Sequence, residues 1–205
     1  ADAVTTATPR TLAIQLGAPF HDDAVLQRGM EVPVWGWSKP GTKITVTFAG
    51  QKKKAKAGKD GKWMVHLAPL KASFEPAEMV ISAARGKSET LKNILVGEVW
   101  MASGQSNMQW ATGKSSVAKI VQAFLDERAA AENSVIPIRE FEVTSVTAML
   151  HPIEKATGYW KNGTKNEFSA IAFAFAHKLY KELNVPIGIL NCSFSQTPIQ
   201  AWVPR

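Results

Sequence analysis

The stretch Ile94-Leu95-Val96-Gly97-Glu98-Val99-Trp100-Met101-Ala102-Ser103-Gly104-Gln105-Ser106-Asn107-Met108 decides the fold. Ile94–Met101 is a nearly unbroken apolar run, as expected of a strand buried on both faces of a parallel sheet. From Ser103 the residues become small and polar, so a tight turn follows the strand. Ser106 in that turn would expose its hydroxyl and offer its backbone N–H to a developing oxyanion. Gly104 would let the backbone pass close to a substrate.

Downstream, Ser115-Ser116 reads as a helix N-cap. Val117, Ile120, Val121, Phe124 and Leu125 then recur at helical spacing. Glu140–Val146 alternates and reads as a strand or extended segment. A second helix begins near Ser169, carries Ile171, Phe175 and Leu179 on one face beside Ala172 and Ala176, and ends at Asn184 and Pro186. Ile187–Asn191 is a short apolar strand followed by the polar turn Ser193–Thr197. This succession of strands and helices predicts an α/β parallel sheet, in which ligands bind at the carboxyl ends of the strands. Ser106 and the Ser195-Gln196-Thr197 turn both fall at such ends.

Upstream, residues from about Leu12 to Ser88 read as all-β. Glu31–Trp37, Lys43–Ala49, Trp63–Leu67 and Met79–Ala83 are rich in Val, Ile, Thr, Phe and Trp, and turn residues separate them. Strands at this spacing predict a β-sandwich, with Trp35, Trp37 and Trp63 read as core residues and a sugar-binding surface as the alternative. The expected organisation is a flexible lead over 1–11, a β-sandwich over 12–92 and an α/β domain over 93–205.

The chain has 205 residues, 45% hydrophobic and 20% charged, the balance of a soluble globular protein of one large or two small domains. No run reaches the roughly 18–20 apolar residues of a membrane span. The net charge of +7 is partly local. Lys52, Lys53, Lys54, Lys56, Lys59 and Lys62 flank Asp60-Gly61, a hairpin signal, and read as a solvated strand face or protected sheet edge. No nucleic-acid-binding motif accompanies them, so nucleic acid is not an expected partner. The one cysteine, Cys192, excludes an intrachain disulfide and reads as a buried thiol at a strand end.

The block Gly97–Met108 closely resembles the nucleophile block of the sialate O-acetylesterases, a branch of the SGNH hydrolases. Phe168-Ser169-Ala170, Val185–Asn191 and Thr197-Pro198-Ile199-Gln200-Ala201-Trp202 are similar to a second region of that family. Phe20-His21-Asp22-Asp23-Ala24-Val25-Leu26-Gln27-Arg28 looks like the start of the β domain that precedes its esterase domain. The resemblance implies an α/β fold: an all-β sandwich followed by part of a flavodoxin-like three-layer α/β/α SGNH-hydrolase domain. It implies an acetyl-enzyme on Ser106, with Gly104, Gln105, Asn107, Ser195, Gln196 and Thr197 as oxyanion and substrate-binding residues. It implies no metal and no organic cofactor. It implies an acetylated glycan as partner, such as an O-acetylated sialic acid or xylan.

Two departures from the family pattern stand out. Ser195 and Gln196 occupy the positions of a glycine pair; the backbone N–H is kept, and the expected cost is side chains that crowd the acyl pocket or a backbone angle that glycine tolerates better. The family's Tyr-Gln-Gly-Glu-like and Asp-x-x-His-Pro-like blocks are absent. None of His21, His66, His151 and His177 has an acid three residues before it; Ala148 takes that place before His151, and His177 reads as a helix residue. The expectation is therefore an esterase completed by a C-terminal fragment of the same precursor that carries the Asp/His pair. A secreted, periplasmic or lysosomal location is expected, with any targeting segment removed. The competing expectation is a non-catalytic carbohydrate-binding protein with a degenerate esterase domain.

Overall fold

A computed structural model describes residues 14–84, 88–131, 135–144, 153–161 and 167–202. Strands β1 (Ile14–Leu16), β3 (Val32–Ser38) and β6 (Lys62–Leu67) form a three-stranded antiparallel sheet in the order β1-β3-β6. The larger sheet takes in β2 (Val25–Gln27), β4 (Lys43–Phe48), β5 (Gln51–Lys56), β7 (Ser73–Ala83) and β8 (Ser88–Gly104). It continues into β9 (Ile138–Val143), β10 (Gly158–Lys161) and β11 (Ile187–Ser193), in the order β10-β9-β11-β8-β7-β4-β5 with β2 beside β8.

Alternation along the strands explains the first core. Val32, Val34 and Gly36 of β3, Ile44, Val46 and Phe48 of β4, and Trp63, Val65 and Leu67 of β6 point inward and are buried. Trp63 is a core residue, as expected. Trp35 and Trp37 are half-buried and leave the sheet on the other face, where Trp35 meets Phe20 edge-on and Lys155 lies 4.9 Å over the Trp37 ring. The lysines behave as read: β5 is the last strand of its sheet, and Lys52, Lys54 and Lys56 are exposed. The Asp60-Gly61 signal has a different outcome. It makes a corner, with the Asp60 carboxylate accepting from the Lys62 N–H at 3.0 Å, that carries the chain from β5 in one sheet to β6 in the other. The hairpin forms instead at Ala49-Gly50, both at positive φ, between β4 and β5.

β8 is 17 residues long and belongs to both parts of the molecule. Its first half pairs antiparallel with β7 and, at Leu95–Gly97, parallel with β2. Its second half, Glu98–Gly104, pairs parallel with β11, which in turn pairs parallel with β9. The expected boundary at 92/93 lies inside this strand.

A short helix, α1 (Ser106–Gln109), follows β8, and two longer helices come after it. α2 (Ala118–Ala130) and α3 (Ala170–Leu183) pack together through Phe124, Phe173 and Tyr180, and onto Ile138, Ile187 and Ile189 of the sheet. Ser169 caps α3 by accepting from the Ala172 N–H, and Asn184 closes it in the left-handed conformation. α2 starts at Ala118 with Val117 as its N-cap, because Ser115 is spent accepting from the Val117 N–H at 3.2 Å. The opposite face of β9 and β11 meets the first core: Phe141 and Trp160 pack with Val25 and its neighbours. Arg139 reaches the same boundary. Its buried guanidinium donates to the Asp23 carbonyl at 2.9 Å and the Asn93 side chain at 3.0 Å, and burial lowers its pKa to about 10.

Candidate active site

Parallel pairing of β8 with β11 sets Gly104 opposite Ser193 and ends the two strands side by side. Gly104 leaves β8 at φ +148°, and its carbonyl accepts from the Phe194 N–H at 2.9 Å. Ser106 opens α1, preceded by Gln105. Ser106 and Asn107 are exposed, and Ser106 Oγ donates to Gln105 Oε1 at 3.5 Å.

The turn after β11 lies against this one. Gln105 Nε2 donates to the Thr197 carbonyl at 3.3 Å. The Ser195 N–H donates to Gln109 Oε1 at 3.1 Å, and its hydroxyl donates to the same oxygen. Gln196 stands at φ +62°, the angle glycine takes more readily. Thr197 Oγ1 donates to the Phe194 carbonyl at 2.8 Å and tightens the turn. The structure thus brings Gly104, Gln105, Ser106, Ser195, Gln196 and Thr197 to one end of the sheet. Gln109, which joins the two turns, was missed in the sequence although it lies one helical turn past Ser106.

Behind the turns lies a buried polar network with no clear trace in the sequence. Glu140 of β9 is 2% exposed. Its carboxylate accepts from the Ser169 N–H at 2.9 Å and from Asn191 Nδ2 at 3.2 Å, and Lys161 Nζ stands 3.7 Å away. Burial pushes its pKa up, while the Ser169 N–H, Lys161 and Asn191 oppose the shift. Asn191 Oδ1 accepts from the N–H and hydroxyl of Ser193, at 3.0 and 2.7 Å.

The described histidines stand on other elements. His21 stacks on Phe141, His66 is exposed on β6 opposite Pro33, and His177 stacks on Phe173 with Phe124 edge-on. His151 lies outside the described residues. Among the described residues no group of three or more His, Cys, Asp or Glu converges as metal ligands would. No described helix is long and apolar enough to cross a membrane. Cys192 is half-buried on β11, and burial raises its thiol pKa.

Among the described residues, the end of β8 carries exposed apolar side chains. Trp100 is 45% and Met101 69% exposed, on opposite faces of the strand. Trp100 meets Phe175 edge-on, and Phe175 and Ile171 are also exposed, because α3 buries the opposite face, which carries Phe173 among Ala170, Ala172 and Ala176. Among the described residues, Trp100–Gly104 pair with β11 on one side and with no strand on the other.

No protein-family model matches the chain. Human sialate O-acetylesterase is 33% identical over 213 residues, covering 93% of this chain and 39% of its own length. The mouse enzyme of the same name is 34% identical over 189 residues, covering 84% of this chain and 34% of its own. The crystal structure of a carbohydrate acetylesterase from Xanthomonas citri superposes with a TM-score of 0.80 at 34% identity, over 93% of this chain and 42% of that one. The chain therefore spans about two fifths of the length of the relatives it matches. In sequence and in fold, this chain belongs to the sialate O-acetylesterase family.

Proposed function

We propose that this chain carries the nucleophile of a serine esterase that removes O-acetyl groups from carbohydrates. One observation carries the reading: the Ser106 turn and the Ser195–Thr197 turn meet at the carboxyl ends of two neighbouring parallel strands. In this reading Ser106 Oγ attacks the acetyl carbonyl while a base takes its proton. Backbone N–H groups at Ser106 and in the Ser195-Gln196 turn hold the oxyanion. The sugar hydroxyl leaves with a proton, and water hydrolyses the acetyl-enzyme to acetate. The relatives named above act, by their names, on O-acetylated sialic acid and on acetylated carbohydrate.

The base and its orienting acid come from a further segment of the precursor, which docks at the end of β8, where no described strand pairs the second edge. Two features support this. A parallel strand is stable when neighbours cover its edge and both faces, and here Trp100, Met101, Phe175 and Ile171 await such cover beside Ser106. The relatives also have more than twice this chain's matched length.

The test is fluorophosphonate labelling with acetyl-ester kinetics, on this chain alone and on the complete precursor. The 205-residue chain alone should hydrolyse acetyl esters at least about 10⁴-fold more slowly than the complete protein, because a serine without its base loses most of its rate. Label should appear on Ser106 of the complete protein and vanish in Ser106→Ala. Full activity of the 205 residues alone would sink the need for a partner segment. Glycan binding without labelling would point to the non-catalytic reading.

A further inference from the structure

Glu140 is a carboxylate buried in a strand whose neighbours Ile138, Arg139 and Phe141 are buried too. Burying an ionised carboxylate is costly unless its lone pairs are satisfied. Lys161 offsets part of that burden, but it also pairs with Glu142, so Glu140 does not have its charge to itself. A purely structural sheet position would be served by an apolar residue.

The partners of Glu140 give the carboxylate a use. One oxygen takes the Ser169 N–H at the start of α3. Ser169 Oγ donates to Met108 Sδ at 3.4 Å, the Ala170 N–H donates to the Trp110 carbonyl at 2.8 Å, and the Thr112 N–H donates to the Phe168 carbonyl at 2.8 Å. This arm pins the segment that leaves α1, just after Ser106. The other oxygen takes Asn191 Nδ2. A carboxylate only accepts, so it fixes the Asn191 amide with its oxygen toward Ser193. Ser193 faces Gly104 in the β8–β11 register, and the next residue, Phe194, bonds the Gly104 carbonyl. This arm sets the approach to the Ser195-Gln196 turn.

We infer that Glu140 is a positioning residue of the esterase site, whose two oxygens align the Ser106 turn through α3 and the Ser195 turn through Asn191. The inference rests on the reading of Ser106 as nucleophile. It goes further by assigning the alignment of both turns to one buried acceptor-only group that touches neither.

The pattern of donors and acceptors makes the inference sharply testable. In Glu140→Gln one oxygen becomes an NH2 group and confronts either the Ser169 N–H or Asn191 Nδ2. If Asn191 flips to relieve the conflict, its NH2 turns toward the N–H and hydroxyl of Ser193, and the second arm is broken. Adding Asn191→Asp restores one acceptor toward the new amide NH2 at position 140 and another toward Ser193.

The experiment measures acetyl-ester kinetics and thermal melting of the complete protein and its variants. Glu140→Gln should lower kcat about 10- to 100-fold, the scale of a misaligned site, with KM within about twofold and Tm not lowered. Glu140→Gln with Asn191→Asp should recover most of that kcat. Asn191→Ala, which keeps the Ser169 arm, should also lower kcat, and it serves as the test if Glu140→Gln does not fold. Unchanged kcat in Glu140→Gln or in Asn191→Ala overturns the inference, and so does a loss that Asn191→Asp fails to rescue. Ser106→Ala separates the two levels. If it is inactive while Glu140→Gln is normal, the positioning role alone falls. If it stays active, the nucleophile reading falls as well.

Discussion

Gln196 holds a side chain at φ +62° in the turn beside Ser106. The left-handed region costs an L-residue roughly 1–2 kcal/mol, and glycine returns part of that advantage through its freer unfolded chain. Gln196→Gly should therefore stabilise the protein by about 1 kcal/mol, a rise in Tm of roughly 2–4 °C for a chain of this size. Scanning calorimetry reads it directly, and an unchanged or lower Tm would mean that the turn is not strained. At this scale legibility follows distance along the chain. The turn at Gly104–Ser106 could be read because an apolar strand running into small polar residues is a local signal. Glu140, Gln109 and Asn191 could not, because their partners lie 29, 86 and 51 residues away.

Among the elements, α3 was the most readable, since its Ser169 cap and Asn184 stop are local signals. What it buries was not. The large residues Ile171 and Phe175 stay exposed, while the alanines give the close approach to the sheet. The Asp60-Gly61 corner shows the same limit: a turn signal marks a reversal but not which sheet receives the next strand. The α2–α3 contact carries a pH dependence. His177 stacks on Phe173 and meets Phe124 edge-on; burial, with Lys181, lowers its pKa, and Glu127 opposes the shift. Below about pH 6.5 the unfolded chain then binds more protons than the native one. Stability should fall as pH drops through that window, and His177→Phe should flatten the dependence. Denaturant melts at about pH 7.5 and about pH 5.5 on both proteins, either side of the ordinary histidine pKa, provide the comparison. A wild-type stability that rises on acidification, or a slope unchanged in the variant, would contradict it.

At the scale of the molecule, the sandwich and the parallel sheet share β8, and Arg139 ties β9 to the loops at Asp23 and Asn93. The described chain should unfold in one transition, with far-ultraviolet circular dichroism and tryptophan fluorescence coincident. Two separated transitions would show independent halves. Gly97 is the point where this sharing is tightest, since a Cβ there would lie 1.8 Å from the Pro186 carbonyl oxygen. Gly97→Ala should cost about 3 kcal/mol, the upper end for overpacking, and lower the whole transition rather than one part of it. The same strand bears on how the chain withstands proteases. Cleavage needs backbone that can leave its hydrogen bonds, and the segment joining the two halves is a laddered central strand instead of a linker. A protease at low dose would trim exposed turns and leave β8 uncut, so the serine and the sandwich would stay on one fragment.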